Sequence, residues 1–185
     1  MRLTLLASAL VATASAASAQ ATPTAAAPAA PATGYRAEFL KNMATVQDKY
    51  VRLAEAIPAD KYTWRPAEGV RSVAEVFLHI STANMGLATR VGAKPPTGVD
   101  LQKLEKSTTD KAAIVATLRQ SFDHLRNAVL NMSDADAEKT MPWFGGSTLT
   151  YRGFLLFMTD HAAEHLGQSI AYARMNGVVP PWSVQ

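Results

Sequence analysis

Four long apolar stripes with helical spacing constrain the fold of this chain more than any other feature. The first lies in residues 35–57, and Pro58 ends it because the residue before a proline is driven out of the helical conformation. Its apolar residues recur at steps of three and four positions, which places them on one buried face of a helix: Phe39, Met43, Val46, Tyr50, Leu53 and Ile57.

The other three stripes predict helices of similar length. The second begins at Ser72, where a serine followed three residues later by Glu75 forms a capping box, and it continues to about residue 91. The third covers about residues 110–131, and the fourth about residues 150–176, before a stop at Asn176-Gly177. No alternating strand pattern of useful length is present. The sequence therefore predicts an all-α protein built as a four-helix bundle.

Two short segments precede the predicted bundle. Residues 1–19 have the pattern of a secretory signal peptide, with Arg2, an apolar run and small residues before a cleavage site after Ala19. This predicts a secreted or periplasmic protein with no transmembrane helix in its mature chain; the alternative is a retained membrane anchor. Residues 20–34 are almost entirely alanine, proline and threonine, which favours a disordered or extended tether. The globular domain is then predicted over residues 35–185.

The amino-acid composition limits the kinds of active site and binding site that the chain can form. The chain contains no cysteine, which excludes disulfides, thiolate nucleophiles and cysteine zinc sites, so any metal must be held by His, Asp or Glu. The formal net charge of +3 is spread without a run of Lys or Arg, and nothing in it indicates nucleic-acid binding.

A pair of histidines in the fourth predicted helix indicates a metal site. His161 and His165 are four residues apart, so they point the same way on one helix face, and neutral imidazole suits zinc, nickel, iron or copper. His79, in the middle of the second predicted helix, is the natural third ligand. Three histidines from two helices leave an open coordination position, as catalytic sites require. The alternative is that all three are ordinary hydrogen-bonded core residues.

Gln168 and Glu164 are candidates for catalytic roles at this site, and nearby carboxylates are candidates for orienting its histidines. Gln168 shares the histidine face and could bind a metal-bound water or substrate, or form an interhelical hydrogen bond instead. Glu164 could orient a histidine or pair with a base, and Glu75 and Asp160 are further possible orienting carboxylates. The fourth histidine, His124, has charged neighbours and is predicted to occupy an exposed helix position.

Two blocks of the sequence resemble the DinB-like proteins. The first, residues 62–80, contains the capped helix start and His79; the second, residues 161–181, contains His161, His165 and a closing Pro-Pro pair. The resemblance covers most of residues 35–182. It implies an up-down-down-up four-helix bundle, commonly a homodimer, with a divalent metal on the three histidines.

The same resemblance implies a range of chemistries rather than one. Some relatives are thiol-dependent transferases or isomerases and others are hydrolases, while the family name refers to induction by DNA damage and does not imply DNA binding. We therefore expect an exported enzyme that depends on zinc, nickel or iron and acts on a small molecule, as a hydrolase or a thiol-dependent transferase. Export argues against a cytoplasmic thiol cofactor, because the periplasm is oxidising. The alternatives are a non-catalytic bundle that binds metal or a small ligand, and a purely structural bundle.

Overall fold

The computed structural model describes residues 29–183 and shows a mostly helical chain. The signal peptide predicted over residues 1–19 lies outside this range, as does most of the predicted tether. The four helices are α1 (Tyr35–Ala56), α2 (Val73–Ala88), α3 (Lys111–Leu130) and α4 (Tyr151–Met175). The four predicted helices are confirmed. The largest difference is at the end of α2, where a 3₁₀ turn, Thr89–Val91, continues the chain to the predicted limit.

Side-chain caps fix where three of the helices begin. Ser72 Oγ accepts a hydrogen bond from the Glu75 amide at 3.3 Å, and a Glu75 carboxylate oxygen accepts from the Ser72 amide at 2.7 Å, which is the predicted capping box. Asp110 accepts from the third residue of α3, and Thr150 does the same at the start of α4. Each cap satisfies amide groups that the first helical turn leaves without a partner.

The helices pack around one core in the cyclic order α1, α3, α2, α4, so that α1 and α2 face each other across the diagonal. Tyr50 of α1 and Phe77 of α2 meet edge to face at the centre, with ring centroids 6.4 Å apart. No helix within residues 29–183 combines the length and the apolar character that a bilayer span needs. The largest fully buried side chains are Tyr50, Tyr62, Phe77, Phe154, Leu53, Ile57, Leu78, Ile80, Met85, Ile114, Leu118 and Leu125.

Buried polar contacts fix how the helices sit against one another. The Tyr50 hydroxyl donates to the carbonyl oxygen of Ala162 at 2.7 Å, which ties α1 to α4 beside the first histidine of the pair. The Asn84 amide donates to Ser121 Oγ at 3.2 Å and links α2 to α3. Because an unpaired buried polar group is costly, such bonds favour one relative position of the helices over shifted ones.

The expectation of a chain without strands was wrong at one place. An antiparallel pair, β1 (Thr140–Pro142) and β2 (Thr148–Thr150), stands immediately before α4, with Met141 opposite Leu149. Strands of three residues are too short to produce an alternating pattern that can be distinguished from a loop. The turn between them contains Gly145 and Gly146, whose φ angles of 66° and 77° lie in the left-handed region that glycine adopts readily.

Candidate metal centre

The three predicted ligand histidines lie together between α2 and α4. His79 comes from the middle of α2, and His161 and His165 lie one turn apart on α4. Each offers a ring nitrogen within 4.8 Å of the other two, and the Nε2 atoms of His79 and His161 are 3.3 Å apart. The structure therefore brings all three residues into one cluster, as the sequence predicted.

Burial favours the neutral form of two of these imidazoles, His161 and His79. It lowers the pKa of His161 to about 4, with further contributions from the positive charges that His165, His79 and Arg71 can carry. Burial also lowers the pKa of His79, against the opposing effect of its hydrogen bond to a carboxylate. At neutral pH both rings keep a free lone pair, which is the form that binds a metal ion.

A carboxylate from the loop before α3 orients His79. Glu105 Oε2 lies 2.9 Å from His79 Nδ1, and Arg71 holds the same carboxylate with its Nε 2.7 Å from Oε1. Burial opposes ionisation of Glu105, but hydrogen bonds from Arg71 and His79 outweigh it and lower its pKa. An ionised Glu105 accepts a hydrogen bond from the Nδ1–H group of His79, so the lone pair of that ring is on Nε2, facing the other histidines.

An amide from α4 orients His165 in the same way. The Nδ1 atom of His165 lies 2.7 Å from Gln168 Oε1, and Gln168 Nε2 donates to the Tyr172 hydroxyl at 3.0 Å. Trp64 packs edge-on against Tyr172, with centroids 5.3 Å apart. Because Gln168 directs its NH₂ group to Tyr172, its carbonyl oxygen faces His165 and accepts a hydrogen bond from the Nδ1–H group. The Nε2 lone pair of His165 is left free.

His161 is held by packing rather than by a hydrogen bond on its outer side. Phe157, one turn earlier, stacks on its ring with centroids 5.7 Å apart and an interplanar angle of 16°. The edge of Trp143, from the β1–β2 turn, packs against Phe157 at 4.9 Å. Among the residues that the structure describes, His161 Nδ1 is a buried atom without a hydrogen-bond partner.

The donor set and spacing fit a divalent transition metal. Two imidazole nitrogens bound to one tetrahedral ion at about 2.0–2.1 Å stand about 3.3–3.4 Å apart, which matches the 3.3 Å between Nε2 of His79 and His161. Two ring nitrogens without protons repel each other at this distance unless a proton or a cation lies between them. Three nitrogen donors from the protein also leave at least one coordination position for another molecule.

The other predicted carboxylates do not reach the histidines. Asp160 and Glu164 are exposed on α4 and contact none of the three rings. Glu75 is used by the capping box and by an ion pair with Arg65 at 3.3 Å. None of these three possible orienting carboxylates is hydrogen-bonded to a ligand histidine in the described part of the chain, and Glu105 takes that role at His79.

Glu105 was missed because its position depends on tertiary structure. It is 26 residues from His79 and 34 from Arg71 in the chain, and it lies in the 3₁₀ turn Leu104–Lys106, within a connection predicted to be irregular. No local periodicity marks such a residue. A glutamate in a loop long enough to fold back over α2 was the only available signal.

His124 differs from its prediction as well. It was expected to be exposed, but it is half-buried on α3, its Nε2 atom is buried without a partner in the described part of the chain, and burial lowers its pKa. The cavity that it lines also includes Gly92 and Lys94, so residues that follow α2 cover it. It stands apart from the three-histidine cluster.

Comparison with known proteins agrees with this architecture. The chain is 29% identical over 134 residues to the YjoA protein of Bacillus subtilis strain 168, an alignment that covers 68% of this chain and 80% of the relative. The crystal structure of a DinB-like protein from Bacillus cereus ATCC 10987 superposes with a TM-score of 0.68 at 20% identity, covering 80% of this chain and 95% of that one. The crystal structure of Bacillus subtilis YjoA, itself described as DinB-like, gives a TM-score of 0.60 at 20% identity, covering 76% and 92%.

A match at the level of the whole family accompanies these individual similarities. Residues 42–169, which include His79, His161 and His165, match the sequence profile of the DinB superfamily. This match takes in more than half of the chain, from α1 to the second half of α4. The chain therefore belongs to the DinB superfamily.

Proposed function

We propose that this protein binds one divalent metal ion through the Nε2 atoms of His79, His161 and His165 and uses it in catalysis. The observation that carries the proposal is the convergence of three imidazole nitrogens within 4.8 Å. Glu105 and Gln168 support it, because each binds a distal Nδ1 atom and directs the Nε2 lone pair inwards. Zinc, nickel and iron all suit three imidazoles.

The residues around the cluster have separate tasks in this proposal. Glu105 and Gln168 each hold one histidine ring in the Nδ1–H tautomer. Phe157 stacks on the ring of His161 and fixes its orientation. When bound, the ion would supply Lewis-acid chemistry to a group at its open position. The family resemblance supports a hydrolase or a thiol-dependent transferase acting on a small molecule.

One observation favours a second candidate, a bundle that binds metal or a small ligand without turnover. Among the described residues, Glu105 is the one carboxylate hydrogen-bonded to a ligand histidine, and Arg71 already engages it. Glu164, considered as a catalytic group from the sequence, is exposed, and Gln168 cannot ionise. A site of this composition binds a metal readily but has no evident general base.

Removal of any ligand histidine should abolish stoichiometric metal binding. We expect about one zinc or nickel ion per wild-type chain and an affinity lowered more than 100-fold in His79→Ala, His161→Ala or His165→Ala, since losing only an orienting partner costs about 10–100-fold. Titration calorimetry of metal-free protein measures the affinity. His124→Ala is the matched control and should bind as wild type does; stoichiometric metal that survives all three ligand substitutions contradicts the proposal.

Loss of the Glu105 carboxylate should weaken metal binding without removing a ligand. Glu105→Gln takes away the charge that favours the Nδ1–H tautomer of His79, so we expect the metal dissociation constant to rise about 10–100-fold. Glu164→Gln makes the same chemical change at an exposed position of α4 and should leave it unchanged. Equal constants for the two variants, both with native circular dichroism, would show that Glu105 does not orient His79.

Turnover separates the catalytic proposal from the binding candidate. The zinc-, nickel- and iron-loaded proteins should convert at least one substrate in a panel of esters, amides and thiol-transfer acceptors, and His161→Ala should lose that activity. Saturable metal binding with no product in any arm would favour the binding candidate. The added metal should also raise the free energy of unfolding, by about 2.7 kcal/mol when its concentration is 100 times the dissociation constant.

Location and assembly belong to the same proposal. We infer export from residues 1–19 and a homodimer from the family resemblance. Protein recovered from outside the cytoplasm should begin at Gln20, as N-terminal sequencing would show, and light scattering should give twice the mass of the mature chain. A chain recovered with Met1 intact, or a monomeric mass, would contradict the respective inference.

A further inference from the structure

A polar cavity of about 550 Å³ adjoins the three-histidine cluster. We call it the arginine pocket, and its charged and amide-bearing walls are Arg65, Arg71, Glu75, Glu105, Lys106 and Gln168. Three cationic side chains around one cavity of this size, on a chain with few basic clusters, make it the most distinctive charged feature outside the histidines.

Two walls of the pocket are also the residues that orient the proposed ligands. Glu105 lies 2.9 Å from His79 Nδ1, and Gln168 lies 2.7 Å from His165 Nδ1. A molecule in the arginine pocket would therefore be separated from the histidine rings by one side chain. Both contacts are on the outer, Nδ1 side of the rings, so a molecule held in the pocket must extend past Glu105 or Gln168 to reach the inner Nε2 atoms.

The charges of the pocket do not cancel. Arg65 pairs with Glu75 at 3.3 Å, and Arg71 pairs with Glu105 at 2.7 Å, which neutralises both carboxylates. Lys106 takes part in none of the ion pairs found within residues 29–183. One positive charge is thus left over, and its ammonium group is free to bind an anion.

Arg71 offers a further hydrogen-bond donor at the pocket. Arg71 uses Nε and Nη2 on Glu105, and its Nη1 group makes no side-chain hydrogen bond among the described residues. The first-turn amide of Glu75 and the cap amide of Ser72 are occupied by the capping box, so the start of α2 does not supply the binding. Guanidinium and ammonium donors together are the usual partners of carboxylate and phosphate oxygens.

We propose that the arginine pocket binds an oxyanion, a carboxylate or a phosphate, carried by the small molecule that the metal centre handles. The anion would accept hydrogen bonds from Lys106 Nζ and Arg71 Nη1. The statement about the substrate rests on the proposed metal-dependent function. The statement about anion binding rests on the pocket alone and can be tested without metal.

Titration of the metal-free protein tests the pocket directly. Inorganic phosphate and acetate are added separately to ¹⁵N-labelled protein at constant ionic strength, and the signals of Gly69, Arg71, Lys106 and the Gln168 side-chain amide are followed. Without metal, phosphate cannot bind to an ion at the histidines. We expect saturable shifts at these residues, and the tighter of the two probes identifies the class of anion. Shifts that fail to saturate, or that are spread over the whole surface, overturn the proposal.

A matched pair of variants separates specific binding from general attraction to a basic protein. Lys106→Gln should weaken binding of the better probe about fivefold, as expected for one solvent-accessible charge contact. Lys103→Gln removes the same charge three residues earlier, from a side chain that is 84% exposed and outside the pocket, and should change the affinity less than twofold. Equal effects of the two substitutions overturn the assignment to this pocket.

The two proposals can fail independently. Metal titration in phosphate-free buffer concerns only the histidines, and anion titration of the metal-free chain concerns only the pocket. Anion binding without metal binding would leave the pocket assigned and refute the metal centre. Metal binding without anion binding would support the metal centre and refute the anion site in the arginine pocket.

Discussion

The packing of α2 against α4 brings three half-buried imidazoles together, and the rest of the site depends on that contact. Nitrogen atoms removed from water need hydrogen-bond partners, or their burial is costly. Glu105 and Gln168 satisfy the outer nitrogens of His79 and His165. The inner nitrogens face one another, and His161 alone among the three rings has no partner on its outer nitrogen, so at most one neutral ring can donate a hydrogen bond to the other two. A cation among the inner nitrogens would supply the missing partner, which supports the proposed metal site.

Such an arrangement persists only if the bundle prevents α2 and α4 from relaxing apart. The buried Tyr50 hydroxyl bonds to the Ala162 carbonyl, next to His161, and fixes the height of α4 against α1. Burial raises the pKa of Tyr50 well above its ordinary value, so this hydroxyl remains a proton donor at any physiological pH. On the other side, Trp143 supports Phe157, which stacks on His161. The positions of the imidazoles are thus fixed by contacts distributed over α1, the β1–β2 turn and α4.

Local pattern was enough to predict the helices and the three-histidine cluster, but not their surroundings. The stripe through Phe39 and Tyr50 and the capping box at Ser72 depend on neighbours within a few residues, and four histidines left few choices for a third ligand. Glu105 reaches His79 only through the folding of a connection over α2, so no short window of sequence reveals it. His124 was misjudged for the same reason, because its charged neighbours gave no sign that residues after α2 would cover it.

Glu105 is where the two proposed activities meet. Its carboxylate accepts hydrogen bonds from His79 and from Arg71, so the negative charge is shared between a proposed metal ligand and a wall of the arginine pocket. An oxyanion that draws Arg71 towards itself would leave more of that charge to His79, and a more basic imidazole is a stronger metal ligand. Because coupling between two binding equilibria is reciprocal, a bound metal would favour the anion to the same extent. In these two proposals, the ion pair between Arg71 and Glu105 connects recognition of a substrate's charge to the strength of metal binding at the three histidines.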